Sequence, residues 1–393
     1  MSGRIILHTP EPASSPAIYV EELSRALTET GAPVHVICPA NHQARRNFER
    51  NPLITLHASA PRSIRSGDGL FVKIFTNLRF LLSSCLVLLR TAHRGDIVHF
   101  QYVLHFPFGA LFFACALIRG CSIVFTVHDP LPHRWLLPPP FHVLARFALA
   151  WSYHISSALL VHSEPGKSTL VSHFSELADK IHVVVHGPFR LGDGVLPIPQ
   201  STQLEVLLFG AFRENKGTHL AIEAIQQLHE EGVPLRLTIA GCVLNRREQG
   251  YWNRCREIIA KAPGGIRLIE RFVPDEQLPK LFGGCHCFLL PYASFSSDSG
   301  VAFMALANGR AIISTKSGGL GPLLETSGGG LPIEEPTAAA VAQALRQAVA
   351  LGPEHLLHLG RTGRAWVLSQ CGWPEIADET RKLYEQLLGT LPA

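Results

Sequence analysis

The chain's 393 residues, 47% hydrophobic and only 17% charged, suffice for two buried cores and exclude a disordered chain. Its net charge of +4 is unevenly shared: residues 1–190 carry +6 and residues 191–393 carry −2. Nine cysteines without a paired framework exclude a disulfide scaffold and fit a reduced, cytoplasmic protein.

Strand and helix patterns alternate from the start. Ile5-Ile6-Leu7 reads as a strand, Thr9 to Pro16 as a Pro/Ser-rich loop, and Ala17 to Thr30 as a helix that Gly31 stops. Val34–Ile37 is the next strand. Residues 41–94 combine nine Lys/Arg and two acids with many Leu, Phe and Ile, a mixture that suits an anionic membrane surface; the alternative is a solvated basic face over ordinary core. No nucleic-acid-binding signature accompanies these cations, so nucleic acid is not expected as a partner. Neither a leader peptide nor a membrane-spanning helix is required. The longest run without Asp, Glu, Lys or Arg, 97–118, reads as a strand, a loop and a short helix.

Short strands follow at 97–100, 123–127, 158–161 and 182–185, apolar on both faces as in buried parallel sheets. The pattern lapses into a Pro- and Gly-rich linker over 188–203. It restarts with strands at 206–209, 236–240, 266–269, 287–290 and 311–314, and the chain closes with a helix from Trp373 to about Leu388. The reading is two doubly wound α/β domains, 1–187 and 204–372.

The stretch FGAFRENKG, 209–217, sets Arg213 and Lys216 between a strand and a helix. Open α/β sheets bind ligands at that edge, and two cations there suit a phosphate; the alternative is an ordinary solvated loop. Residues 291–315 run from a strand through small polar residues to Ser299-Gly300 and a helix. First-turn amides and the helix dipole attract an anion, although Ser297, Asp298 or Ser299 could equally be plain caps. SEPGKST, 163–169, lacks the glycine of a P-loop, since position 161 is valine, and no G-x-G-x-x-G follows the first strand. His128 and Asp129 end a strand, where hydrogen bonding suits them better than metal binding. Cys285 and Cys287 read as core thiols, since no second cysteine pair completes a zinc site.

FGAFRENKGTHLAIEA resembles the FG-x-IR-x-x-KG-x-x-x-x-IEA segment of bacterial glycosyltransferase family 4, which has the GT-B fold. Ala240-Gly241-Cys242, RFVPDEQLPKLFGGCHCFLLPY and SGVAFMALANGRAIISTKSGGL resemble its later segments. VFTVHD, ALLVHSEPGKSTL and VVVHGPF are similar to its N-terminal half, and WPEIADETRKLYEQLL to its closing helix. The resemblance covers most of the chain and is strongest over 205–330.

It implies two Rossmann-like domains facing a cleft, the first completed by residues 373–393, and a retaining, metal-independent hexosyltransferase. A nucleotide diphosphate sugar would be the co-substrate, with no other cofactor. The acceptor would be a lipid-linked or growing saccharide for surface polysaccharide. Lys216 and Arg213 would hold the donor diphosphate, with Gly210 and Gly241 at the strand ends and Ser299, Gly300 and Val301 offering backbone. Phe272 and Val273 would lie along the nucleobase, and His128 would meet the donor sugar. Two departures stand out. The family's Glu-x7-Glu pair falls on Ser296 and Met304, as in a sub-branch with an apolar residue at the second acid, which leaves Asp298 as the candidate acid. Ser15-Pro16-Ala17 stands near the usual Gly-Gly of the first loop. A cytoplasmic protein on the inner face of the plasma membrane is expected. The alternatives are a non-catalytic nucleotide-sugar-binding scaffold and a sugar-nucleotide epimerase.

Overall fold

Short runs of β-branched and aliphatic residues separated by amphipathic segments force parallel strands with helical crossovers. The computed structural model describes residues 3–13, 15–63, 69–103, 106–128, 139–189, 195–244, 246–261, 264–295 and 299–389. The chain folds as two units, Met1–Gly187 with Trp373–Ala393, and Pro188–Gly372.

The first unit opens with β1 (Ile5–His8), α1 (Ser15–Glu29), β2 (Val34–Pro39), α2 (Arg45–Arg50) and β3 (Ile54–Ser59). It continues through α3 (Leu70–Thr91), β4 (Ile97–Phe100), α4 (Ala110–Ile118) and β5 (Ser122–Thr126). It ends in α5 (His142–Ile155), β6 (Ala158–Val161), α6 (Glu164–His173) and β7 (Ile181–Val183). The seven strands are parallel, in the order β3-β2-β1-β4-β5-β6-β7. Right-handed crossovers put α1 and α2 on one face of the sheet and α3 to α6 on the other. Accordingly, α4 packs between α3 and α5, while Asn47 of α2 donates to Glu21 of α1 at 2.6 Å.

The second unit begins with β8 (Leu204–Phe209), α7 (Thr218–Glu230), β9 (Leu235–Gly241), α8 (Gln249–Lys261), β10 (Ile266–Glu270) and α9 (Leu278–Gly283). It continues with β11 (Cys287–Leu290), α10 (Gly300–Ala307), β12 (Ala311–Thr315), α11 (Leu320–Ser327), β13 (Gly330–Ile333) and α12 (Ala338–Gln370), which breaks at Gly352 before Pro353. Its six parallel strands run β10-β9-β8-β11-β12-β13. Val206, Leu208, Ile222, Ile225 and Leu345 form part of its core. The last helix, α13 (Trp373–Gly389), returns to the first unit and packs on α1, with the Trp373 and Tyr19 rings 5.2 Å apart.

Two strands lie outside the sequence expectations. Both are sheet edges, where the buried-strand signal is weakest: β3 is largely half-exposed, and β13 carries Pro332, which edge strands tolerate. Phe71–Thr91 is also long and apolar enough to cross a membrane by length and composition. However, α3 joins β3 to β4 within one sheet and buries Phe80, Leu81 and Leu88 in its core, so it lies along the sheet.

The first unit also buries an unusual set of histidines. Desolvation lowers His8, His99 and His186 to about 3 and His42 to about 4. An unfolded histidine titrates near pH 6.5, so below that value the unfolded chain binds protons the folded one refuses. Stability therefore falls as pH drops from about 6.5 toward the folded values, by up to about 1.4 kcal/mol per pH unit for each residue. Burial lowers His286 in the second unit as well, but the four large shifts belong to the first. Hydrogen exchange from about pH 7 to about pH 5 should show protection lost earlier in the first unit, read at pH-corrected intrinsic rates. Equal loss in both units would contradict this.

Candidate anion-binding site at the switch point of the second sheet

Strand order reverses between β8 and β11 in the second sheet. Helices leaving these two strands diverge, which opens a crevice at their carboxyl ends. The loops there are 210–217 and 291–299, the two stretches that the sequence marks.

The first loop is shaped by glycines. Gly217, in the left-handed region (φ 66°), starts α7, and a Cβ there would lie 1.9 Å from the Pro291 carbonyl oxygen. Gly241 has φ 153°, and its Cβ would lie 1.8 Å from the Gly210 oxygen. A Cβ on Gly210 would sit 3.8 Å from Val301 Cγ2, so β8, β9 and α10 converge here. Arg213 is exposed on the same loop and Lys216 is half-buried. Neither forms an ion pair among the described residues.

Lys216 is held by aromatic rings. Its Nζ lies 3.7 Å from the centroid of Tyr292 and 4.5 Å from that of Phe295, close enough for cation–π attraction. The Tyr292 hydroxyl is 3.0 Å from Ser299 Oγ. Ser299 is the N-cap of α10, and its side chain accepts from the Ala302 amide. Thr315 Oγ1 and Ser317 Oγ donate to the Tyr292 carbonyl at 2.9 and 3.2 Å. Tyr292 thus links the cation to the start of α10, where the Gly300 and Val301 amides are the first donors. Sequence reasoning passed over Tyr292 and Phe295. The available signal was an aromatic pair three apart at a strand's carboxyl end, in the stretch PYASF.

The remaining candidates are more dispersed. Met304 lies buried on α10, and its carbonyl accepts from Asn308 Nδ2 at 2.7 Å. Phe272 is 66% exposed beyond β10, whereas Val273 is buried and lines a cavity of about 440 Å³ with Leu207, Ile269, Leu281 and Lys280. The two neighbours therefore face different surroundings. Asp298 and Ser296 lie outside the described residues, as does Asp129.

His128 belongs to the first unit, near the carboxyl ends of β4 and β5. Its Nε2 donates to the Gln101 carbonyl at 2.9 Å, its Nδ1 is 3.1 Å from His162 Nε2, and His162 Nδ1 donates to the Val184 carbonyl at 2.9 Å. Three such bonds need three hydrogens, and two neutral rings carry two. With both rings neutral, the two hydrogens serve the two carbonyls. Cys285 and Cys287 are buried, and burial pushes both thiols up, to about 12 for Cys285. They are core thiols. Among the described residues no group of three His, Cys, Asp or Glu is placed to hold a metal ion.

Comparison with known proteins agrees with this architecture. The family model described as Glycosyltransferase Family 4 matches residues 17–187, and that described as Glycosyl transferases group 1 matches residues 203–350. The "Putative colanic acid biosynthesis glycosyltransferase WcaL" of Escherichia coli (strain K12) is 31% identical over 152 residues, 37% of this chain and 36% of that protein. The chain thus spans about a third of the length of the curated relatives it matches. Sucrose-phosphate synthase from Thermosynechococcus elongatus superposes with a TM-score of 0.76 at 17% identity, over 99% of this chain and 100% of that one. Anabaena Alr3699/HepE in complex with UDP-glucose gives 0.71 at 14%, also over 99% and 100%. At such identities these two likenesses concern the fold, which is GT-B.

Proposed function

Because this chain belongs to bacterial glycosyltransferase family 4, with the GT-B fold, we propose that it transfers a hexose from a nucleotide diphosphate sugar, with retention, to a lipid-linked or growing saccharide in surface polysaccharide synthesis. The observation that carries this reading is Lys216, braced on Tyr292 beside the α10 N-terminus at the switch point. A diphosphate seated there meets Lys216, Arg213 and the amides of Gly300 and Val301. As the acceptor hydroxyl oxygen bonds to the anomeric carbon, the carbon–oxygen bond to the diphosphate breaks and the hydroxyl proton passes to an oxygen of the departing diphosphate. The departing charge is then stabilised by fixed cations and the helix dipole, without a metal ion. His128 is our candidate for contact with the donor sugar. The UDP-glucose complex of the HepE structure supports a nucleotide-sugar donor, and the WcaL relative supports polysaccharide synthesis as the setting.

Thermal-shift measurement with UDP- and GDP-sugars tests donor binding, and radiolabelled transfer tests catalysis. Binding without transfer to any saccharide acceptor would favour a scaffold. Interconversion of the free donor without acceptor would favour an epimerase.

Met304 stands where the family's second acid would hold the ribose, and a thioether is a poor substitute acceptor. We assign Asp298 that contact. Met304→Glu would bury a carboxylate on the apolar side of α10, so donor affinity by calorimetry should be equal or weaker. Asp298→Ala should bind about tenfold more weakly, the loss of one charged hydrogen bond. Tighter binding by Met304→Glu with no effect of Asp298→Ala would indicate a decayed site instead.

A further inference from the structure

We infer that the outer face of the α3–α4–α5 layer docks the first unit on an anionic lipid bilayer. On α3, Phe71, Phe75 and Leu82 are exposed along one helical stripe, while Phe80 and Leu88 on the opposite side are buried. The neighbouring helices continue this surface with Ile118 on α4 and Val143 and Phe147 on α5. Their exposures reach 87% at Phe71, 77% at Ile118 and 76% at Val143. Exposed large apolar side chains carried across three adjacent helices mark an interaction surface.

Charge selects the occupant. None of the three helices contains Asp or Glu, while Lys73, Arg79 and Arg90 lie on α3 and Arg146 on α5. Long cations beside apolar side chains can reach lipid phosphates while those side chains enter the acyl boundary. A second copy on the same face would bring cations against cations, with no acid on these helices to offset them. Because α3 starts and ends in one sheet, it must lie flat on the bilayer rather than cross it. This surface is narrower than the basic 41–94 segment: α2, with Arg45, Arg46 and Arg50, lies on the other face of the sheet. The inference is independent of the transfer reading, and donor binding measured on the same variants keeps the two apart.

The test is co-flotation of the full chain with vesicles of phosphatidylcholine alone or of equal phosphatidylcholine and phosphatidylglycerol. The protein should float with the anionic vesicles, more weakly with neutral ones and more weakly as salt rises. Lys73→Glu/Arg79→Glu/Arg90→Glu should lower partition at least about fivefold per charge. Phe75→Ser/Ile118→Ser/Phe147→Ser should lower it about tenfold or more. All six residues belong to the first unit and the anion site is built within the second, so donor-induced thermal shifts should persist in both variants. Arg45→Glu/Arg46→Glu/Arg50→Glu should stay within about twofold of wild type. The inference is overturned if wild type stays unbound, if either α3–α5 variant floats undiminished, or if the α2 variant releases the protein as effectively. It is equally overturned if wild type dimerises without lipid and the Phe75/Ile118/Phe147 variant is monomeric.

Discussion

Lys216→Ala should reduce transfer by roughly 10²-fold or more, comparable to removing one preorganised donor from a site of developing charge. The ammonium is placed before substrate arrives, because Tyr292 and Phe295 hold it on their faces. Among the described residues it has no acid to neutralise it. Its charge therefore remains available for a diphosphate, and no reorganisation is needed as the bond breaks. The cation–π contact itself contributes only about 0.5–1 kcal/mol to folding, so the variant should melt close to wild type. That separation makes the experiment decisive: a folded Lys216→Ala protein with unchanged turnover would remove the site from the mechanism. Arg213→Ala should weaken nucleotide binding in the same assay, since Arg213 lies on the same loop but is exposed and its charge is better screened by water.

Arg310→Met should destabilise the second unit by about 3–5 kcal/mol, since leaving a buried carbonyl without its donor costs about 1–3 kcal/mol. Arg310 is completely buried at the start of β12. Its Nε donates to the Phe282 carbonyl at 3.0 Å, one terminal nitrogen to Leu196 at 2.9 Å, and the other to Pro197. Burial lowers its pKa, yet a guanidinium stays protonated, and among the described residues it is hydrogen-bonded to carbonyls and to no carboxylate. The three carbonyls do the solvating. Methionine of similar length would leave all three without their donor, and the fork geometry is one that lysine cannot copy. Denaturant unfolding should show a lower midpoint for Arg310→Met and little rescue by Arg310→Lys. A midpoint unchanged in both would mean that the segment before β8 is held by other contacts.

Much of the architecture was legible because it rests on local patterns. The strand around Val206–Phe209 and the helix after Gly217 follow from apolar runs and periodicity, and Arg213 and Lys216 are visible between them. Edge strands β3 and β13 were not visible, because a half-exposed strand and one containing proline lose the apolar signature. The partner of Lys216 was also hidden. Tyr292 lies 76 positions further along the chain, and nothing in local spacing connects the two loops.

The sequence by itself determined the doubly wound class, the family resemblance, and the residue types gathered at the strand ends, since periodicity and motif spacing are properties of the chain. Only the tertiary structure decided that β8 lies beside β11, because parallel strands with long crossovers can be ordered in many ways that share one local pattern. That order creates the crevice, brings Tyr292 under Lys216, and sets α10 against Gly210. It also decided which side of α3 is covered. Hydrophobicity in the sequence marks a side chain as able to leave water, and packing alone determines whether protein takes it in: Phe80 entered the core, and Phe75 did not.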